Sequence, residues 1–236
     1  SPAFSIVSHL KRMLIKFLFA KTPVSKAVNS NFYSKIYGKR IKQKINKIRP
    51  FSLQIETTNS CNAKCVMCPH VSMKRKQKVM NQKDFIKICE NVLSYVDIEL
   101  ITLSGFGEPF IDNQILEKIR WVNENYPKIK IDIYTNAFLL DKKKSNDLLK
   151  LNIHKINFSI NGTEETYKKI MGLDYNKTKE NIAYFLEKKK ELKLKHPLTN
   201  ISLMIINENK KEIDKIINFW LEKTDSVMAY LPSDWA

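Results

Sequence analysis

Cysteine is scarce in this chain, and unevenly so. Among 236 residues there are 4 cysteines; Cys61, Cys65 and Cys68 lie close together, and none follows Cys89. A disulfide framework is not expected of thiols this crowded. Glycine and proline are also few, at 5 and 8, which argues for long regular elements with short connections and against a low-complexity chain. No apolar run approaches the ~20 residues needed to cross a bilayer. Arginine is sparse as well: of 41 basic residues only Arg12, Arg40, Arg49, Arg75 and Arg120 carry the guanidinium fork. The formal charge of +17 is therefore mostly a solvated lysine coat. It lacks the arginine forks and interleaved aromatics of a nucleic-acid surface, so nucleic acid is not expected as a partner.

What is present is enough apolar content, 43%, for a sizeable core in one large domain or one and a half. Residues 1–50 stand apart from 51–236. Phe4, Val7, Leu10, Leu14 and Phe17 recur at helical steps opposite Lys11, Arg12 and Lys16, which predicts an amphipathic helix. A second basic helical stretch runs from about Ser30 to Ile48 and stops at Pro50. Such an extension can lie on an anionic membrane surface or pack across the end of a larger domain. From Phe51 onward strand-like and helix-like segments alternate. Strands are expected at 51–56, 98–103, 129–134, 155–160, 201–206 and 227–231. Helices are expected on the face marked by Phe85, Ile88, Cys89, Val92 and Val96, then at 115–125, 142–151, 164–193 and 212–223. Alternation of this kind implies right-handed crossovers and a parallel sheet. The fold class is α/β, a partial TIM-type (β/α)6 barrel with an N-terminal helical extension, whose chemistry belongs at the C-terminal strand ends.

The first such end is Glu56-Thr57-Thr58-Asn59-Ser60-Cys61-Asn62-Ala63-Lys64-Cys65-Val66-Met67-Cys68-Pro69-His70. Three thiolates at this spacing can hold three irons of a four-iron cluster and leave the fourth open to a small molecule. A zinc knuckle completed by His70 is the competing use of the same donors. It would make the chain a zinc-stabilised nucleic-acid-binding module. Cys89 shares its apolar helical face with Phe85 and Val92 and is read as core.

The C-x3-C-x2-C spacing after a strand resembles the radical S-adenosylmethionine (radical SAM) superfamily, from about Phe51 to the end of the chain. The resemblance implies that Cys61, Cys65 and Cys68 ligate a [4Fe-4S] cluster whose open iron binds the amino and carboxylate groups of SAM. Reductive cleavage of the sulfonium would then give a 5′-deoxyadenosyl radical that abstracts a substrate hydrogen atom. It also implies a cytoplasmic, oxygen-sensitive enzyme supplied with electrons by a partner such as flavodoxin or ferredoxin.

The later strand ends carry the same resemblance. Ser104-Gly105-Phe106-Gly107-Glu108-Pro109 is similar to the glycine-glutamate motif that meets the SAM amino group. Gly105 and Gly107 would allow close backbone approach, and Glu108 would accept from the ammonium. Tyr134-Thr135-Asn136-Ala137 resembles a Thr-Asn-Gly motif with alanine in place of glycine. Ser159-Ile160-Asn161-Gly162 resembles a Ser-x-Asp/Asn-Gly motif, through which Ser159 and Asn161 would reach the ribose or the methionyl carboxylate; an asparagine–glycine turn is the plainer use. Met67 stands where relatives carry an aromatic residue and would meet adenine through its backbone. An apolar adenine wall near 204–207 is a weaker match.

Cys68-Pro69-His70-Val71-Ser72-Met73-Lys74-Arg75 with Met80 resembles the branch bearing a C-terminal SPASM or twitch domain. It is similar to dehydrogenases of aminocyclitol-antibiotic biosynthesis and to peptide maturases. His70, Lys74 and Arg75 would sit near the substrate mouth. The auxiliary-cluster cysteines of that domain are missing after Cys89, and 231–236 resembles the junction where it would begin, so truncation is expected. The favoured substrate is a small carbohydrate or aminocyclitol that is oxidised or epimerised, with a ribosomal peptide as the alternative.

Overall fold

The computed structural model describes residues 52–232. The two N-terminal helices expected within 1–50, and the domain boundary and membrane-surface role attached to them, lie outside the described residues, as does the segment 233–236. Six strands form one sheet in the order β1-β2-β3-β4-β5-β6. They are β1 Ser52–Ile55, β2 Leu100–Leu103, β3 Lys130–Thr135, β4 Lys155–Ser159, β5 Leu198–Met204 and β6 Ser226–Tyr230. Every neighbouring pair is parallel. Since β1 pairs only with β2 and β6 only with β5, the sheet is not closed, as in a partial barrel. Among the described residues no helix is long and apolar enough to cross a membrane.

The crossovers carry α1 Gln82–Leu93, α2 Ile115–Asn125, α3 Lys142–Leu148, α4 Glu164–Met171, α5 Tyr175–Glu191 and α6 Ile213–Leu221. Three begin on a side-chain cap: Asn81, Asp141 and Asp174 accept from the backbone N–H groups of Asp84, Lys144 and Lys177, which satisfies donors that the first turn leaves open. The helical segments expected over 164–193 are two helices. Gly172 takes a left-handed φ of 68° and stops α4, and the Asp174 cap starts α5 two residues later. The first helix ends at Leu93, before Val96, and α3 stops at Leu148, ahead of the expected Leu151.

Strand alternation divides the sheet into two chemically distinct faces. Ile101, Leu103, Ile131, Ile133, Ile156, Phe158, Ile201 and Leu203 are buried in the core. Phe85, Cys89, Ile119, Leu148, Phe185, Ile216 and Trp220, all on helices, complete it. The alternate residues Asp132, Asn157, Asn200 and Ser202 are buried too, but polar. Asn200 Nδ2 donates to Asn157 Oδ1 at 2.9 Å and Ser226 Oγ to Asn200 Oδ1 at 2.8 Å, while Asp132 pairs with His154 and Lys155. A fully closed barrel packs its interior with branched apolar side chains; this open one presents a hydrogen-bonded polar wall instead.

Candidate active site

A cleft of about 310 Å³ gathers residues from the C-terminal end or following loop of all six strands. It holds Cys61, Cys65, Met67 and Cys68 from the loop after β1, and Gly105, Gly107 and Glu108 from the loop after β2. Tyr134 to Asn136, Ser159, Asn161, Met204 and Tyr230 complete its wall. Every residue expected to hold the cluster or SAM therefore lines one cleft, whereas His70, Lys74 and Arg75 are not among its lining. A larger hollow of about 670 Å³ between α5 and α6 is walled by Leu186, Phe219 and Trp220 and lies apart from the cysteines.

The cysteine loop is tied down on both sides. Lys64 N–H donates to Met171 O and Val66 N–H to Ile170 O, both at 2.9 Å, fastening the loop to the end of α4. On the other side residues 75–80 run back along 56–59 as a short antiparallel ladder. Met80 N–H donates to Thr57 O at 2.8 Å, Lys78 N–H to Asn59 Oδ1 at 2.6 Å, and Thr58 pairs with Val79. His70 Nε2 lies 2.9 Å from Asn59 O, so it braces the loop from within.

All three thiols are free of disulfides and half-buried. Burial pushes the Cys61 thiol up to about 11 and Cys65 to about 12; for Cys65 the neighbouring Cys61 and Cys68 add to the effect. Buried thiols of this kind are neutral among protein groups alone and ionise when a metal centre takes them as ligands. His70, the fourth donor a zinc knuckle would need, lies with Nε2 against Asn59 O. Three cysteine donors without a fourth suit a four-iron cluster that keeps one iron open.

The loop after β2 packs directly on the cysteine loop. Glu108 N–H donates to Ser60 O at 2.9 Å. A Cβ on Gly107 would lie 2.0 Å from Thr58 O, and one on Gly105 would lie 2.6 Å from Glu56 Cγ. Both glycines thus admit protein backbone or side chain, where the sequence suggested room for a ligand. Glu108 itself is buried. Its Oε1 accepts from Thr135 Oγ1 at 2.6 Å and Phe110 N–H at 3.2 Å, and its Oε2 from Asn136 N–H at 2.7 Å. Burial raises its pKa to about 7 against the pull of those three bonds. One lone pair of Oε2 remains for a further donor.

Asn161 is more constrained than its motif suggested. Its Oδ1 accepts from Met204 N–H at 2.8 Å and its carbonyl from Asn209 Nδ2 at 2.9 Å, so it staples β4 to β5. Its Nδ2 has only the Met171 sulfur, at 3.6 Å. Ala137 is buried with a φ of 59°, a left-handed conformation that favours glycine. Of the three basic side chains placed near the mouth, His70 braces the cysteine loop, Lys74 is exposed, and Arg75 pairs with Glu56.

Sequence reasoning assigned no role to Tyr134, Tyr230 or Glu56. The first two follow from strand parity once the registers Tyr134↔Asn157 and Met204↔Tyr230 are known. Glu56 stands at the end of β1, where a barrel strand places functional side chains.

An open parallel sheet with three cysteines and a glycine-glutamate loop converging at its strand ends defines a cofactor-dependent α/β barrel. The profile of the Radical SAM superfamily matches residues 55–219, and the chain belongs to that superfamily, whose members are enzymes that use a [4Fe-4S] cluster and SAM. The tungsten-containing aldehyde ferredoxin oxidoreductase cofactor-modifying protein of Pyrococcus furiosus is 23% identical over 172 residues, covering 72% of this chain and 48% of that protein. The S-adenosyl-L-methionine-dependent 2-deoxy-scyllo-inosamine dehydrogenase of Niallia circulans is 28% identical over 104 residues, 44% of this chain and 42% of the enzyme. Streptococcus suis SuiB bound to S-adenosylmethionine superposes with a TM-score of 0.68 at 21% identity, over 96% of this chain and 52% of that one; SuiB is also solved with its precursor peptide SuiA. The chain spans about half the length of the relatives it matches.

Proposed function

We propose that the cleft binds a [4Fe-4S] cluster through Cys61, Cys65 and Cys68 with SAM at its open iron. The reaction we assign is hydrogen-atom abstraction from a small hydroxylated substrate, a carbohydrate or aminocyclitol, ending in oxidation or epimerisation. The observation that carries the cofactor assignment is the convergence of three unpaired thiols with all six strand ends in one cleft. When bound, the cluster and SAM supply reductive sulfonium cleavage and hydrogen abstraction; the protein supplies placement and shielding.

Each residue has a defined task in this reading. The carboxylate of Glu108 offers the free lone pair of Oε2 to an ammonium group, held in place by Thr135 and Asn136. Ser159 and the Nδ2 of Asn161 offer hydrogen bonds from β4, and Met67 and Met204 offer apolar surface. Gly105 and Gly107 let the loop seat close enough to the cysteines to place Glu108.

The substrate class rests on the opposite wall. Tyr134 and Tyr230 line the cleft, and their side-chain hydroxyls hydrogen-bond to no other described residue. Burial and the neighbouring Tyr134 raise the Tyr230 phenol above its ordinary value, so it stays a protonated donor at neutral pH. Two uncommitted hydroxyls suit a compact polyol, in keeping with the relative named for 2-deoxy-scyllo-inosamine. A ribosomal peptide is the second reading, supported by the likeness to SuiB, a protein solved with a precursor peptide. An acidic one-electron donor such as flavodoxin or ferredoxin completes the proposal.

Anaerobic reconstitution with iron and sulfide tests the assignment directly. The expected result is a brown protein with iron and sulfide in matching amounts and release of 5′-deoxyadenosine from SAM under dithionite. Cys65→Ala should lose both; a colourless wild-type protein holding one zinc would overturn the reading.

A further inference from the structure

Glu56 has three partners and is not itself part of the cleft wall. Its Oε1 accepts the Phe106 N–H at 2.8 Å. Arg75 Nη2 lies 3.0 Å from Oε2 and 3.4 Å from Oε1. Its side chain also fills the space that a Cβ at Gly105 would need, 2.6 Å from Cγ and Oε1. The three partners belong to two different structures. Phe106 and Gly105 form the middle of the loop that ends in Glu108 and line the cleft. Arg75 opens the return segment that ladders along 57–59 and holds the root of the cysteine loop. The Arg75 guanidinium also stands 5.8 Å from the centroid of the Phe106 ring. One carboxylate therefore joins the segment that leaves the cysteines to the loop that carries Glu108.

We infer that Glu56 is a positioning residue that sets the 104–108 loop against the cysteine loop, and that it governs SAM affinity through Phe106 without touching the cofactor. The geometry separates it from an ordinary turn brace. Backbone bonds already fix the loop's far end, through Glu108 N–H to Ser60 O, and Gln54 Nε2 holds Ser104 Oγ at 2.9 Å. Phe106 lies between those anchors, and its backbone N–H is held by the Glu56 carboxylate. With that carboxylate gone, the Phe106 N–H loses the acceptor that sets its place in the loop, and the loop samples positions in which Phe106 and Glu108 no longer meet the cleft together. Small displacements of this kind act on binding geometry more than on folding.

This inference rests on the cofactor reading above, so its test has one arm that needs no cofactor. Amide hydrogen exchange on the unloaded protein should show faster exchange for the 104–108 segment in Glu56→Ala, and near-wild-type exchange in Glu56→Gln, which keeps the acceptor for Phe106 N–H. In loaded protein with dithionite, Glu56→Ala should raise the KM for SAM about tenfold with iron content unchanged and kcat within about twofold of wild type. Glu56→Gln removes the ion pair alone, and Arg75→Ala removes it together with the guanidinium beside the Phe106 ring; each should raise it roughly threefold, with the double variant no worse than Arg75→Ala. Unchanged exchange in Glu56→Ala overturns the inference whatever the cofactor chemistry proves to be. So does an unchanged KM in Glu56→Ala or, should that variant fail to load iron, in Glu56→Gln and Arg75→Ala. A wild-type protein that loads no cluster would sink the cofactor reading and leave the exchange comparison standing.

Discussion

Thr135 Oγ1 donates to Glu108 Oε1 at 2.6 Å, joining the end of β3 to the loop after β2 across 27 residues of chain. The same hydroxyl accepts from Ala137 N–H at 2.9 Å, so one side chain orients both the carboxylate and the turn that follows it. Glu108 is thereby held as an acceptor although burial favours its neutral form.

The first prediction concerns pH. The folded protein holds a proton on Glu108 up to about 7, against 4.5 for the ordinary group. Its contribution to stability is thus greatest below pH 4.5 and is lost as pH rises toward 7, by an amount of order 3 kcal/mol. SAM affinity should move the opposite way, since only the carboxylate attracts an ammonium group. Glu108→Gln should flatten the stability trend and weaken SAM binding by at least about tenfold. Thr135→Val should shift the rise in SAM affinity to higher pH. Denaturant midpoints and equilibrium binding from acid to mildly alkaline pH measure both.

The glycines give a second prediction with unequal outcomes. Alanine at 107 would press on backbone, with Thr58 O at 2.0 Å and Ser60 O at 2.8 Å, and no rotamer change relieves it. Gly107→Ala should cost about 3 kcal/mol or more and reduce iron uptake. For alanine at 105 the three nearest atoms all belong to the Glu56 side chain. Truncating that chain removes the obstruction, so Gly105→Ala should be partly rescued in stability by adding Glu56→Ala. Thermal denaturation of the three variants and the double variant decides it.

Much of this site was legible because its chemistry is local in sequence. Cysteine spacing and the glycine-glutamate loop each lie within a few residues, and strand alternation places them at one end of the sheet. What was hidden depends on register and long-range packing. Asn161 reads as a ligand in its motif, yet only the pairing of β4 with β5 shows its Oδ1 taken by Met204 N–H. Tyr230 acquires a role only once β6 is aligned against β5. Helical segments over 164–193 were expected, while the point of their division, Gly172 with its left-handed backbone, came only with the structure. Ala137 illustrates the reverse: the substitution was visible, while its left-handed backbone was not.

A third prediction tests the buried support behind the cysteine loop. Lys118 Nζ is fully buried with Asp112 Oδ2 at 2.5 Å and donates to Met80 O at 2.6 Å. It therefore holds the far end of the return segment that ladders along 57–59. Removing one partner strands the other charge in the core. Lys118→Met should cost about 3–5 kcal/mol in denaturant unfolding and loosen iron retention. Lys118→Met with Asp112→Asn should recover part of the stability. The neutral amide strands no charge, and its oxygen still accepts from Gln114 N–H as Asp112 Oδ1 does at 2.9 Å.

The last prediction turns on Ala137, fully buried with a φ of 59°. A left-handed backbone costs a residue with a Cβ roughly 1–2 kcal/mol. Glycine would relieve that strain but gives up a buried methyl worth about 0.8 kcal/mol and adds freedom to the unfolded chain worth about 0.4–1 kcal/mol. The opposing effects nearly cancel, so Ala137→Gly should leave stability within about 1 kcal/mol of wild type. Ala137→Val has no such balance: a β-branched side chain is poorly suited to this conformation, and its two added methyl groups must enter a packed core. It should cost about 2–4 kcal/mol and displace Asn136, whose N–H holds Glu108 Oε2. A valine variant as stable as wild type would mean that the turn does not hold this backbone conformation in solution.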